Sequence, residues 1–334
     1  MDLPVVNHKD YEAQINEDNK FPIKKFSALA NYLTEKKIVK KFYKPEACSI
    51  ETLKGAHSED YIYKIQNKTL DKNEIRKIGF PLVDSVVRRS FVATGGTVMA
   101  TKLALNYGVA CNTAGGSHHA TYSEGAGFCV FNDVAVAAKY LTSRGLANKI
   151  LIVDLDVHQG NGNSEIFKDD SQVFTFSMHS KINYPAKKSI SDLDVELNEN
   201  MEDKEYLETL KFYLHNLNQE DFDFVFYIAG VDIHFNDRLG KLKISDGVVI
   251  TEILNRSPLK DLLNVNDIHN NIKPLWLKKF EEFYENCETH DIKYTLNDVT
   301  ELFAFILFSS IVIEEIKFLK STSVVCSEIL KSIS

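Results

Sequence analysis

Residues 149–154 read KILIVD, four consecutive apolar side chains closed by a carboxylate. A strand that is apolar on both faces has to be covered on both, which is the habit of a parallel sheet layered between helices. Three other short runs have β character: 109–113 (VACNT), 173–178 (VFTFSM) and 222–229 (FDFVFYIA). Two segments between them carry helical spacing, one rich in Ala and Val over 131–141 and one amphipathic over 204–217. Upstream, Phe26, Leu29, Ala30 and Leu33 share one helical face, and residues 80–106 carry a further helical signal. Strands alternating with helices of about a dozen residues predict βαβ units and an α/β fold with a parallel sheet.

The chemistry-bearing residues collect where these strands end. The run at 149–154 continues through Asp156, His158, Gly160, Asn161 and Gly162. Side chains alternate along an extended chain, so Asp154, Asp156 and His158 point to one side. The carboxyl ends of strands are also where open α/β sheets bind their ligands. Carboxylate and imidazole suit Zn²⁺ or a similar dication. A lone Asp-x-Asp reads as a strand end with a solvated turn; three ligand types on one face, followed by two glycines, favour a metal. Asp232 ends another strand and alone reads as a helix cap. Together, Asp156, His158 and Asp232 give three protein ligands and an open fourth position, as a catalytic zinc requires. A second cluster, Gly115-Gly116-Ser117-His118-His119, follows the 109–113 run. Adjacent histidines allow one to face a site while the other supports it, and imidazole titrates near neutral pH. In isolation the pair also reads as surface histidines on a glycine-rich loop.

Composition removes several classes. The formal net charge is −8, against a dedicated nucleic-acid binder. Cys48, Cys111, Cys129, Cys287 and Cys326 form no C-x-x-C pair, which fits reduced thiols and a cytoplasmic location (or a nuclear one in a eukaryote). The N-terminus carries charges where a signal peptide needs an apolar stretch. The longest apolar stretch, 302–313, is too short to span a bilayer and is expected to be a buried helix. No membrane partner is expected.

The blocks GGSHHATYSEGAGFCVFND (115–133), ILIVDLDVHQGNG (150–162), FSMH (176–179) and YIAGVDIHFNDRLGKLKIS (227–245) resemble those of the zinc-dependent histone deacetylase family. The forms HQGNG and DRLGKL are most similar to its class IV and related bacterial branch. The resemblance implies the three-layer arginase/deacetylase fold, a parallel sheet with helices on both faces. It implies one Zn²⁺ on Asp156, His158 and Asp232, with His118 and His119 as the catalytic pair and His119 the better general base and acid. Asp154 would orient His118 and support a structural K⁺ near Ser177 and Met178. Asn161 stands behind His119 where many members carry Asp, so His119 should be held less strongly as a cation. Gly127 and Phe128 would line the substrate tunnel. The implied partner is an acylated lysine in a protein or peptide, or a small acylated amine.

The sequence departs from the family at its end. No glycine follows Gly247, so the Gly-Gly-Tyr block that supplies an oxyanion-donating tyrosine is absent. Tyr284 and Tyr294 lack a glycine-rich setting, and neither inherits the role. Losing one such donor typically costs about 10²–10³ in rate, so impaired turnover, or a zinc- and acyl-lysine-binding relative without efficient turnover, is the alternative expectation. Residues 1–250 are expected as the deacetylase-like domain, incomplete at its C-terminal end. Residues 251–334 are expected as a mostly helical tail, covering the edge left by the missing last strand.

Overall fold

The structure is a computed structural model that describes residues 3–16, 19–217, 221–228, 230–245 and 311–314. Seven strands form one sheet: β1 (Val5–Val6), β2 (Val109–Asn112), β3 (Ile150–Asp154), β4 (Val173–Ser180), β5 (Leu193–Leu197), β6 (Phe224–Ile228) and β7 (Ile311–Glu314), in the order β1-β2-β7-β6-β3-β4-β5. The helices are α1 (Lys25–Glu35), α2 (Ile50–Leu53), α3 (Glu59–Asn67), α4 (Lys72–Ile78), α5 (Asp84–Tyr107), α6 (Asp133–Thr142), α7 (Asn161–Phe167) and α8 (Asp203–Leu217). Among the described residues, no helix is long and apolar enough to cross a membrane.

The 149–154 run behaves as its composition demands. Every residue of β3 is buried, and it lies parallel between β4 and β6. Ile150 and Ile152 join one apolar cluster, while Leu151 and Val153 join a second cluster on the other face. The neighbouring strand β6 divides in the same way, with Phe224, Phe226 and Ile228 on the first side and Val225 and Tyr227 on the second. Helices α5 and α6 supply the first layer through residues such as Ala100, Ala104, Val134 and Ala138. Helices α1 and α8 supply the second through Leu29, Leu33, Leu210 and Leu214. Burying each such aliphatic side chain stabilises the fold by about 1.5–3 kcal/mol, so truncating Ile152 to Ala would cost about 2–5 kcal/mol.

The expected parallel pairing holds between β1 and β2 and from β6 through β3 and β4 to β5, and β7 joins the sheet antiparallel to both β2 and β6. One expectation is corrected. Residues 311–314 are strand, where a helix was expected over 302–313. The run Ile311-Val312-Ile313 is β-branched throughout and fits a pleated strand, and in its slot it pairs edges of β2 and β6 that would otherwise be left open. The sheet is therefore continuous from β1 to β5. The helices expected over 274–287 and across the rest of 296–333 lie outside the described residues, as do Tyr284 and Tyr294. Strands β1 and β5 and helices α2, α3, α4 and α7 were not read from the pattern. Each is short, and β1 spans only two residues.

Candidate active site

The site is assembled at the carboxyl ends of β2, β3 and β6. The chain leaves β3 at Asp154, and the next residues fold back so that the Asp156 N–H donates to Asp154 Oδ1 (3.2 Å). Asp154 is buried and accepts from His118 Nδ1 through Oδ2 at 2.6 Å. Asp156, His158 and Asp232 converge: His158 Nδ1 lies 3.0 Å from Asp156 Oδ1 and 2.9 Å from Asp232 Oδ2. All three offer a ligand atom within 4.8 Å of the others, and all are half-buried. The second oxygen of Asp232 accepts the Val157 N–H at 2.9 Å, which fixes the carboxylate's rotation. Gly230 makes the approach of β6 to this turn close: a Cβ there would lie 2.5 Å from Asp156 Cα.

Two carboxylates facing one imidazole in a half-buried place are an unbalanced group without a cation. Burial works against a charged His158, but its contacts with Asp156 and Asp232 outweigh that and raise it to about 11. Burial and the Asp156 charge raise Asp232 to about 6, against the pull of His158. Asp156 stays below the usual carboxylate range; burial opposes this, and His118 and His158 overcome it. Donor type, count and spacing therefore fit a small dication held by one nitrogen and two oxygens, with room for a further ligand.

The adjacent histidines sit in different surroundings although their rings are 4.1 Å apart. Burial disfavours the cation at both. At His118 the Asp154 and Asp156 carboxylates win and raise it to about 9. At His119 burial is reinforced by the charge on His118, and the pKa falls well below the ordinary value. His119 Nδ1 lies 2.8 Å from Asn161 Oδ1. An amide oxygen takes the Nδ1 proton as a hydrogen bond and adds no negative charge, which leaves the lone pair on Nε2. The ring of His119 stands 5.9 Å from that of His158.

Gly127 lies against His119. Its φ is +54°, and a Cβ would come within 2.4 Å of His119 Cδ2, so only glycine fits. The Phe128 ring packs against Phe21 and Phe80, each with centroids 5.4 Å away. Ser177 pairs in register with Asp154 across β3 and β4, and its hydroxyl lies 2.9 Å from His179 Nδ1. Met178 points to the opposite apolar cluster.

The sequence reading missed residues that touch this site. Tyr184 sets its ring edge-on to His119 at 4.9 Å. Only its place before Pro185 marks it in the sequence. Asn132 and Asp133 grip the loop that carries the histidine pair, and their signal was available: Asn followed by Asp opens an apolar helix, an N-cap pattern.

The histone deacetylase domain matches residues 19–255. The chain belongs to the histone deacetylase domain family. An uncharacterized protein of Picosynechococcus sp. is 46% identical over 249 residues, covering 74% of this chain and 83% of that protein. Histone deacetylase 2 of Arabidopsis thaliana is 36% identical over 239 residues, covering 67% of this chain and 60% of that protein. This chain thus spans 60% of that deacetylase, under two thirds of its length. The crystal structure of a histone deacetylase homologue from Aquifex aeolicus shares the fold, with a TM-score of 0.67 at 22% identity, over 100% of this chain and 83% of that one. The deacetylase domain match contains all of His118, His119, Asp154, Asp156, His158, Asn161 and Asp232.

Proposed function

We propose that this protein is a zinc-dependent deacylase that hydrolyses the amide of an acylated lysine in a protein or peptide, or of a small acylated amine. One observation carries the reading: His119, with Nδ1 on Asn161 Oδ1 and its ring 5.9 Å from that of His158, stands beside the Asp156–His158–Asp232 set. Asp156, His158 and Asp232 would hold the zinc, which when bound polarises an amide carbonyl and brings the pKa of water toward about 7.

The remaining work belongs to side chains of the chain. His119 Nε2 accepts the proton of the attacking water and returns it to the departing amine. Asn161 keeps the other proton on Nδ1 throughout. His118, charged against Asp154, sets a positive charge beside the reacting carbonyl, where negative charge develops. Phe128 and Tyr184 form walls for the extended lysine stem, and Gly127 lets the chain pass close to His119. A monovalent cation beside Asp154, Ser177 and Met178 would brace the turn after β3 from behind.

The test is made on the purified full chain. Zinc content is measured beside deacylation of a panel of acyl-lysine peptides and acetylated polyamines, with His119→Ala as the control. One zinc per chain and turnover above the control are expected. Bound zinc with no turnover above His119→Ala overturns the enzyme reading. Absence of any stoichiometric divalent metal overturns the metal-centred reading altogether.

A further inference from the structure

The loop that carries His118 and His119 is held by the start of α6, by α7 and by His57. Asp133, the first residue of α6, accepts the Gly116 N–H through Oδ2 (3.1 Å) and the Ser117 N–H through Oδ1 (2.7 Å). The Thr97 hydroxyl of α5 donates to the same carboxylate. Asn132, just before it, caps α6 by accepting the Ala135 N–H at 2.9 Å. Its amide nitrogen donates to Ala120 O (3.3 Å) and to Asn163 Oδ1 (2.8 Å). The Asn132 N–H donates to His57 Nε2, and His57 Nδ1 in turn donates to Thr121 O, both at 2.9 Å. From the far side, the Gly162 N–H of α7 donates to His118 O at 2.9 Å. Residues 116, 117, 118, 120 and 121 thus each have a backbone group pinned by α6, α7 or His57.

Asp133 is 1% exposed. Burial raises its pKa against the pull of these hydrogen bonds. A carboxylate in so dry a place is costly unless it is fully bonded. Here two of its donors are the backbone amides immediately before the histidine pair. The carboxylate lies at the first turn of α6, where the helix dipole also favours negative charge. An uncharged residue could fill the space, but it could not accept from both amides and the hydroxyl at once.

We propose that Asp133 and Asn132 are positioning residues of the hydrolytic site, a clamp that sets the two imidazoles by holding the backbone on either side of them. This rests on the deacylase reading for its kinetic consequence, though not for its geometric one. Misplacing a catalytic group by about 1 Å can cost about 100-fold in rate.

The test is Asp133→Asn in the full chain, with Thr94→Val as a control that loses a buried hydrogen bond to Ser90 O within α5 and removes no bond to Asp133, Asn132 or the loop. Three quantities are read: kcat and KM separately, zinc stoichiometry, and the proton resonance of His118 Nδ1–H in histidine-labelled protein. Asp133→Asn is expected to lower kcat about 100-fold with KM and zinc content kept, and to displace the His118 resonance. Thr94→Val, at a similar loss of Tm, is expected to leave all three near wild type. The proposal is overturned if Asp133→Asn retains kcat within about threefold and an unmoved His118 resonance. It is overturned equally if Thr94→Val reproduces its effects. Should Asp133→Asn not fold, Asn132→Ser keeps the helix cap while losing the bonds to Ala120 and Asn163, and the same readings apply. If zinc-loaded wild type does not turn over, the deacylase reading falls while the His118 resonance still decides the clamp.

Discussion

The two halves of the site are built on opposite principles. The histidine loop is satisfied by protein: Asp154 and Asn161 hold the rings, and Asp133, Asn132 and His57 hold the backbone. The Asp156–His158–Asp232 group turns both carboxylates to one Nδ1, with only the Val157 N–H reaching it from outside among the hydrogen bonds described above. The first arrangement pre-organises groups that must not move while they shuttle protons. The second leaves like charges gathered where a cation is the natural counter-charge. On the proposed reading, the pocket is pre-organised where it would handle protons and electrostatically open where it would hold a metal.

The largest effect should separate the halves outright. His158→Ala is expected to abolish zinc binding and turnover together, measured by metal analysis and deacylation, while leaving the His118 and His119 loop folded. Retention of stoichiometric zinc would break the contrast. His119→Ala is expected to retain zinc and lose about 10²–10⁴ in rate, as read from kcat at saturating substrate. Loss of zinc in that variant would show that the halves are one unit.

Chelation probes the metal half alone. A site filled at 100 to 1,000 times its Kd stabilises by about 2.7–4.1 kcal/mol. Removing zinc with a chelator should therefore lower Tm by roughly 5–15 °C, and stoichiometric zinc should restore it. An unchanged Tm would mean that the carboxylates do not await a cation.

The smallest effect tests the loop half through pH. His57 is buried between the Asn132 N–H and Thr121 O, and burial lowers it to about 4 despite its backbone hydrogen bonds. Its unfolded value is about 6.5. The unfolded chain therefore takes up the proton first on acidification. The contribution is complete above about pH 6.5 and is lost as pH falls from there toward 4, by about 3 kcal/mol at most. Urea midpoints measured from pH 7 to pH 4 should fall more steeply in wild type than in His57→Gln. Parallel slopes would remove His57 from the clamp.

How far the sequence carried depended on the range of the signal. Strands β2, β3, β4 and β6 and helices α1, α5, α6 and α8 were legible because their periodicity is local and their length sufficient. Asp156, His158 and Asp232 were legible because each stands at the end of such a strand. Residues 311–314 were misread because Ile-Val-Ile is apolar in either conformation, and only pairing with β2 and β6 decides between them. Tyr184 escaped notice because nothing in its own neighbourhood says that the chain will bring it beside His119.

The sequence by itself determined that apolar strands would be buried on both faces and would present candidate metal ligands and histidines at their carboxyl ends. Alternation along a chain and exclusion from water need no knowledge of distant partners. Only the tertiary structure decided that carboxylates hold His118 up in pKa while burial beside it pushes His119 down. It also decided that two carboxylates turn toward one nitrogen, and that Asp133 spends a buried charge on the backbone of the histidine loop. Those outcomes depend on burial and on groups dozens of residues apart, and electrostatics inside a protein follows distance in space, not along the chain.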